Sequence, residues 1–99
     1  DTFRSDEDDS VGFNVIAPDY FATLQTPLLG GREFDELDRD TETEVAIVNE
    51  SFARYFFGKR SPLGRRVISL NAAYEIVGVV KDAKYVSLRQ NAIKTIYIP

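Results

Sequence analysis

The sequence predicts an α+β domain: a mixed β-sheet with two short helices packed on it. Three observations carry that expectation. Apolar runs of strand length, "VAIVN" and "EIVGVV" among them, recur from residue 11 to residue 99. Two stretches with helical spacing, 18–25 and 50–57, lie between them and are too short to form a bundle. The 99 residues are 43% hydrophobic and 12% aromatic, which suits one globular domain with a modest core.

Taken in order, residues 1–10, "DTFRSDEDDS", are acidic with little apolar content and read as a mobile end, with one domain over 11–99. "VGFNVIA" (11–17) alternates as a strand does, with Val11, Phe13 and Val15 on one face. Pro18 suits a first helical turn, and Tyr20, Phe21 and Leu24 form a short apolar stripe over 18–25. Thr26-Pro27 closes that helix, because a residue before proline disfavours helical geometry. "LLGGREF" (28–34) reads as a Gly-Gly turn and a brief extended piece, and 35–44 as a polar, mostly acidic loop.

In "EVAIVNE" (44–50), Val45 to Val48 are continuously apolar, as in a strand covered on both faces. Asn49 is a good N-cap for the helix "ESFARYFF" (50–57), where Phe52, Tyr55 and Phe56 share a face and Gly58 supplies a left-handed C-cap. "RRVISL" (65–70) and "AYEIVGVVKD" (73–82) form a hairpin turning near Asn71. A helical turn or loop (84–90) and a last strand (94–99) complete the order β-α-β-β-α-β-β-(α)-β.

Composition removes several kinds of chemistry. Cysteine and histidine both number 0, which excludes disulfides, thiolate metal sites, cysteine nucleophiles and the usual neutral-pH base. No apolar run nears the roughly 18–20 residues needed to cross a bilayer. The chain opens on Asp1 and stops at Pro99 after "TIYI", so a piece of a longer protein is expected. The net charge of −4 is unevenly spread: residues 1–50 hold 14 acids and 3 bases, residues 51–99 hold 2 acids and 9 bases. Such polarity marks either partner surfaces or complementarity between interleaved halves, and the latter is preferred for so small a domain.

The segment "GKRSPLGRR" (58–66) imitates a phosphate-binding loop but fails as one. Five residues separate its glycines where four are required, arginines replace the Lys-Ser/Thr pair, and a helix enters where a strand should. Nucleic acid is disfavoured by the acidic balance of the chain. Asp38, Asp40 and Glu42 have the spacing of a hard-cation loop, but Thr43 and Asn49 stand where an EF-hand needs glycine and glutamate. Glu50 and Glu75 border apolar segments and are the better carboxylate candidates, yet Glu50 simply suits a helix N-terminus. Ser51 and Ser61 lack an activating histidine. No catalytic, cofactor or metal residue is assigned, and an enzyme is not expected.

Three stretches then carry a resemblance: "VIAPDYFATLQTPLLGGREF", "VAIVNESFARYFFGKRSPLGRRV" and "YEIVGVVKDAKYVSLRQNAIKTIYIP". In order and spacing they resemble the MacB-like periplasmic core domain of ABC-transporter permeases, a group that includes FtsX-like permeases, from about residue 15 to the end. The resemblance implies the inserted α/β subdomain of a domain held outside the inner membrane between the first two membrane helices. It implies a non-enzymatic role in export, with ATP hydrolysed by a partner ATPase across the membrane. The expected partners are the rest of the permease and a periplasmic adaptor or lipoprotein client; nucleic acid and nucleotide are not expected on this domain. Lys59, Arg60, Arg65, Asp38 and Asp40 are expected to touch partners, because loops on a rigid scaffold often do. The alternative is a free-standing periplasmic module binding a small ligand or glycan.

Overall fold

The computed structural model describes residues 2–4, 11–17, 19–35, 38, 44–69, 72–82 and 94–99. Its strands are β1 (Thr2–Arg4), β2 (Gly12–Val15), β3 (Leu28–Gly31), β4 (Val45–Asn49), β5 (Arg66–Ser69), β6 (Ala72–Val80) and β7 (Thr95–Ile98). The helices are α1 (Tyr20–Leu24) and α2 (Glu50–Phe57). The strands make one mixed sheet in the order β1-β5-β6-β4-β7-β2, with β3 also pairing β6. The α+β expectation holds. The region 84–90, given as a helical turn or loop, lies outside the described residues, as does Pro18.

Each helix covers one face of the sheet, which explains the continuous apolar run of β4. Ala46 and Val48 point at α2 and join Phe52, Phe57, Ile76 and Ile96, whereas Ile47 points the other way and joins Phe21, Val80 and Tyr97 beside α1. Both sets are buried, so successive β4 side chains all leave water. Strand β6 keeps this alternation through a bulge: Ala46 pairs Ile76 but Ile47 pairs Gly78, leaving Val77 as the extra residue.

Several local expectations change. The Gly30-Gly31 pair is no turn, because it lies within β3 and pairs antiparallel with β6. A Cβ on Gly31 would stand 2.1 Å from the Val77 carbonyl oxygen, so the two strands touch through backbone. Tyr55 does not enter the core; it is 63% exposed, and Phe57 is buried on the helix in its place. Val15 and Leu24 are also exposed, at the end of an edge strand and on a helix of five residues. Gly58 does adopt a positive φ of 62°, but its ψ of −119° takes the chain straight out of the helix instead of into a left-handed turn. Thr2–Arg4, in the stretch expected to lie outside the fold, pair parallel with Arg66–Ile68.

Candidate functional site

The connector 58–66 does not hang free of the sheet. It runs along β6 in the gap between β5 and β3, where the Gly64 N–H reaches the Ile76 carbonyl at 2.8 Å and the Ile76 N–H reaches the Arg65 carbonyl at 2.9 Å. Just beyond, the Arg32 N–H donates to the Val77 carbonyl at 2.9 Å. Two stretches far apart in sequence, 28–32 and 64–69, thus share one edge of β6. Leu63 at the connector's tip lies over β3, with its Cδ1 3.8 Å from a Cβ built on Gly30.

Among the residues expected to touch partners, Lys59 and Arg60 are exposed on this connector. Arg65 is half-buried, and its Nε donates to the Ser61 carbonyl at 2.9 Å, which holds the turn shut. It therefore has a structural task that sequence reasoning missed. Asp38 is not a solvated loop acid: its carboxylate takes a fork of two bonds from Arg32, 2.9 Å from Nη1 and 3.1 Å from Nη2. The Asp35 N–H adds a third at 2.8 Å. The hydrogen bond from Arg32 holds the Asp38 carboxyl below its ordinary range, with burial opposing it. Asp40 lies outside the described residues.

A second cluster forms where β4 and β6 end and α2 begins. Asn49 Oδ1 accepts the Phe52 N–H and the Thr95 N–H, both at 3.0 Å, so one buried side chain caps α2 and ties it to β7. Asp82 accepts from the Ser51 N–H at 3.1 Å and from the Ser51 hydroxyl at 2.7 Å. Arg54 lies 3.8 Å from Glu50 and 3.9 Å from Asp82. The Ser51 hydroxyl gives its proton to a carboxylate that also takes a helix N–H, which is a capping arrangement. Lys94, the residue before β7, stands 3.6 Å over the exposed Tyr55 ring, so the entry to β7 meets α2 at a second point. The Asn49 cap was legible from its position; the Asp82 bond was not, because its partner lies 31 residues away.

Comparison with known proteins gives these segments a context. The model of the family described as "MacB-like periplasmic core domain" matches residues 2–99, so the likeness reaches further toward the N-terminus than the motifs alone suggest. The pyoverdine export ATP-binding/permease protein PvdT of Pseudomonas aeruginosa is 30% identical over 81 residues, 82% of this chain and 12% of that protein. The macrolide export ATP-binding/permease protein MacB of Aggregatibacter actinomycetemcomitans is 30% identical over 84 residues, 85% of this chain and 13% of that protein. This chain thus spans about an eighth of the length of these relatives. Among solved structures, the periplasmic region of MacB from Actinobacillus actinomycetemcomitans superposes with a TM-score of 0.70 at 28% identity, over 84% of this chain and 35% of that one. The extracellular domain of the ABC-type transporter YknZ from Gram-positive bacteria also gives 0.70, at 25% identity, over 88% of this chain and 42% of that one.

Proposed function

The chain belongs to the MacB-like periplasmic core domain family, and from that premise we propose that it is the non-catalytic contact and coupling domain of an ABC-transporter permease. In this reading it stands on the outer side of the cell inner membrane. It meets an adaptor or client there and moves with the transmembrane helices during export. ATP is bound and hydrolysed elsewhere, on the partner ATPase side of the membrane. The observation that carries the reading is the match over residues 2–99 together with the sheet held in common with the periplasmic region of MacB.

The internal chemistry supports a framework role. The Ser51 hydroxyl and the Asp82 carboxylate are spent on each other, and Asp38 is spent on Arg32. Among the described residues no helix is long and apolar enough to cross a membrane.

The reading is tested in the full-length permease with a single cysteine at the exposed Lys59, in a stretch whose own cysteine count is 0. A membrane-impermeant maleimide should label Lys59→Cys on intact cells after the outer membrane is made permeable. Labelling seen only after lysis of the inner membrane would overturn the placement. Calorimetry of the same protein with its ATPase site disabled should show no second ATP site, and micromolar binding that persists would overturn the non-nucleotide role.

A further inference from the structure

Among the described residues, three strands leave one edge of the sheet open: β1, β3 and β2. Strand β1 spans three residues and ends on Arg4, and β3 is interrupted by a register shift between Leu28 and Gly30. Charge, bulges and short length are the devices that keep an edge from taking another strand. Strand β2 carries neither charge nor bulge. Its residues, Gly-Phe-Asn-Val, run in unbroken parallel register from Gly12 beside Thr95 to Val15 beside Ile98. Among the described residues nothing pairs with its outer side.

The hydrogen bonds fix which groups face outward. The Gly12 N–H reaches the Lys94 carbonyl at 2.7 Å and the Ile16 N–H reaches the Ile98 carbonyl at 2.9 Å, so the even-numbered residues address β7. Alternation along the strand then turns the N–H and C=O groups of Phe13 and Val15 away from the sheet. An edge of this kind is a template for one more strand. The side chains agree. Val11, Phe13 and Ile98 pack against the core on the α2 side, whereas Val15, on the same face as Phe13, is 71% exposed, more than any other large apolar side chain described. A residue on an adjoining strand would cover it.

We infer that the outer edge of β2 receives a β-strand from another part of the same polypeptide, and that this strand sets an apolar side chain against Val15. Two arguments select a tethered strand over a separate protein or a second copy. The outward groups of Phe13 and Val15 occupy a strand only ~13 Å long, and so short an edge falls far below the roughly 1,200 Å² that a stable interface buries. A segment of the same chain needs no such area, because its tether holds it at an effective concentration on the order of millimolar. The solved relatives have chain to supply it: the matched part is 35% of the periplasmic region of MacB and 42% of the extracellular domain of YknZ, so more than half of each lies outside it. The inference rests on the reading of the domain as a coupling module, and it names the seam through which motion of the permease reaches this sheet.

The test places the photo-crosslinking residue p-benzoylphenylalanine at Val15 of the full-length permease in intact cells, expressed as two copies that carry different tags. The expected product is a cross-link within one copy, mapped to a peptide of the same polypeptide outside residues 1–99 that bears an apolar residue at the attachment point. The same probe at the exposed Lys59, on the connector beside β6, should not reach that peptide. In amide hydrogen exchange of the full-length protein, Val15 should be protected to within about ten-fold of Asn14, whose N–H faces β7. A Val15 amide that exchanges faster than that overturns the inference. So does a probe that joins the two tags, captures a separate polypeptide or lipid, returns to residues 1–99, or yields nothing. Labelling of Lys59 from outside the inner membrane beside a silent Val15 would sink this inference and leave the placement of the domain standing.

Discussion

Ser51 and Asp82 are joined twice, through the Ser51 N–H at 3.1 Å and the Ser51 hydroxyl at 2.7 Å, across 31 residues of sequence. The pair fastens the first turn of α2 to the end of β6, so helix and sheet register are set together. Asp82 also meets an N-terminal helix dipole, which favours its charge. Replacing it should therefore do more than remove one surface contact. Asp82→Ala is expected to lower stability by about 1–3 kcal/mol, and Ser51→Ala by about 1 kcal/mol. In a double-mutant cycle followed by urea denaturation, the Ser51→Ala cost should largely vanish in the Asp82→Ala background. Full additivity would mean that the two residues act separately.

The glycine pair of β3 offers a comparison between neighbours. A Cβ on Gly30 meets only Leu63 at 3.8 Å, an ordinary contact. On Gly31, with φ +74°, it would stand 2.1 Å from the Val77 carbonyl oxygen and 2.8 Å from Gly78 Cα. Gly30→Ala is expected to change stability by less than about 1 kcal/mol, in either direction. Gly31→Ala must push β3 away from β6 and should cost above about 3 kcal/mol or abolish folding. Melting temperatures of the two variants separate the outcomes, and equal losses would contradict the described strand contact.

These glycines also show where the sequence was legible. Two adjacent glycines give a turn signal to local reasoning, and nothing nearby reveals that a second strand comes close enough to demand them. The run Val45–Val48 and the cap Asn49 were readable because period, length and neighbour lay within one short window. Tyr55 was misplaced because its i+3 spacing from Phe52 puts it nearer that face than Phe57 at i+5, and the sheet packing against the last turn buries Phe57 instead. The exposure of Leu29 was likewise hidden, because it is the extra residue of a register shift between β3 and β6 that no periodicity announces.

The fork between Arg32 and Asp38 makes a pH prediction. Hydrogen bonding by the guanidinium lowers the folded-state pKa of Asp38, whose unfolded value is near about 3.9. A depressed carboxylate pKa stabilises the fold above the unfolded value, and that contribution is lost as pH falls through the folded value. The guanidinium side is 48% exposed, so solvent screening keeps the effect under about 1 kcal/mol. Asp38→Asn should thus be slightly less stable than the parent at pH 7, and the gap should shrink as pH falls below the ordinary carboxylate range. Urea titrations at pH 7 and through the acid range check this. A gap of unchanged size in acid would assign the loss to the backbone bonds of Asp38 instead of its charge.

Asn49 carries the last and most demanding prediction. Its side chain is 2% exposed and its Oδ1 satisfies two backbone donors, one starting α2 and one starting β7. Alanine would leave both N–H groups buried without that acceptor, each at a cost of roughly 1–3 kcal/mol. Asn49→Ala should then lose about 2–5 kcal/mol, more than an ordinary exposed N-cap, whose removal costs about 1 kcal/mol. Asn49→Asp keeps the acceptor geometry and adds a charge that the helix dipole favours, but it must bury that charge. It should fall between the parent and the alanine variant at pH 7. Amide hydrogen exchange distinguishes this double role from simple capping. In Asn49→Ala the Phe52 and Thr95 amides should both lose protection, whereas loss at Phe52 alone would show that β7 does not depend on the cap.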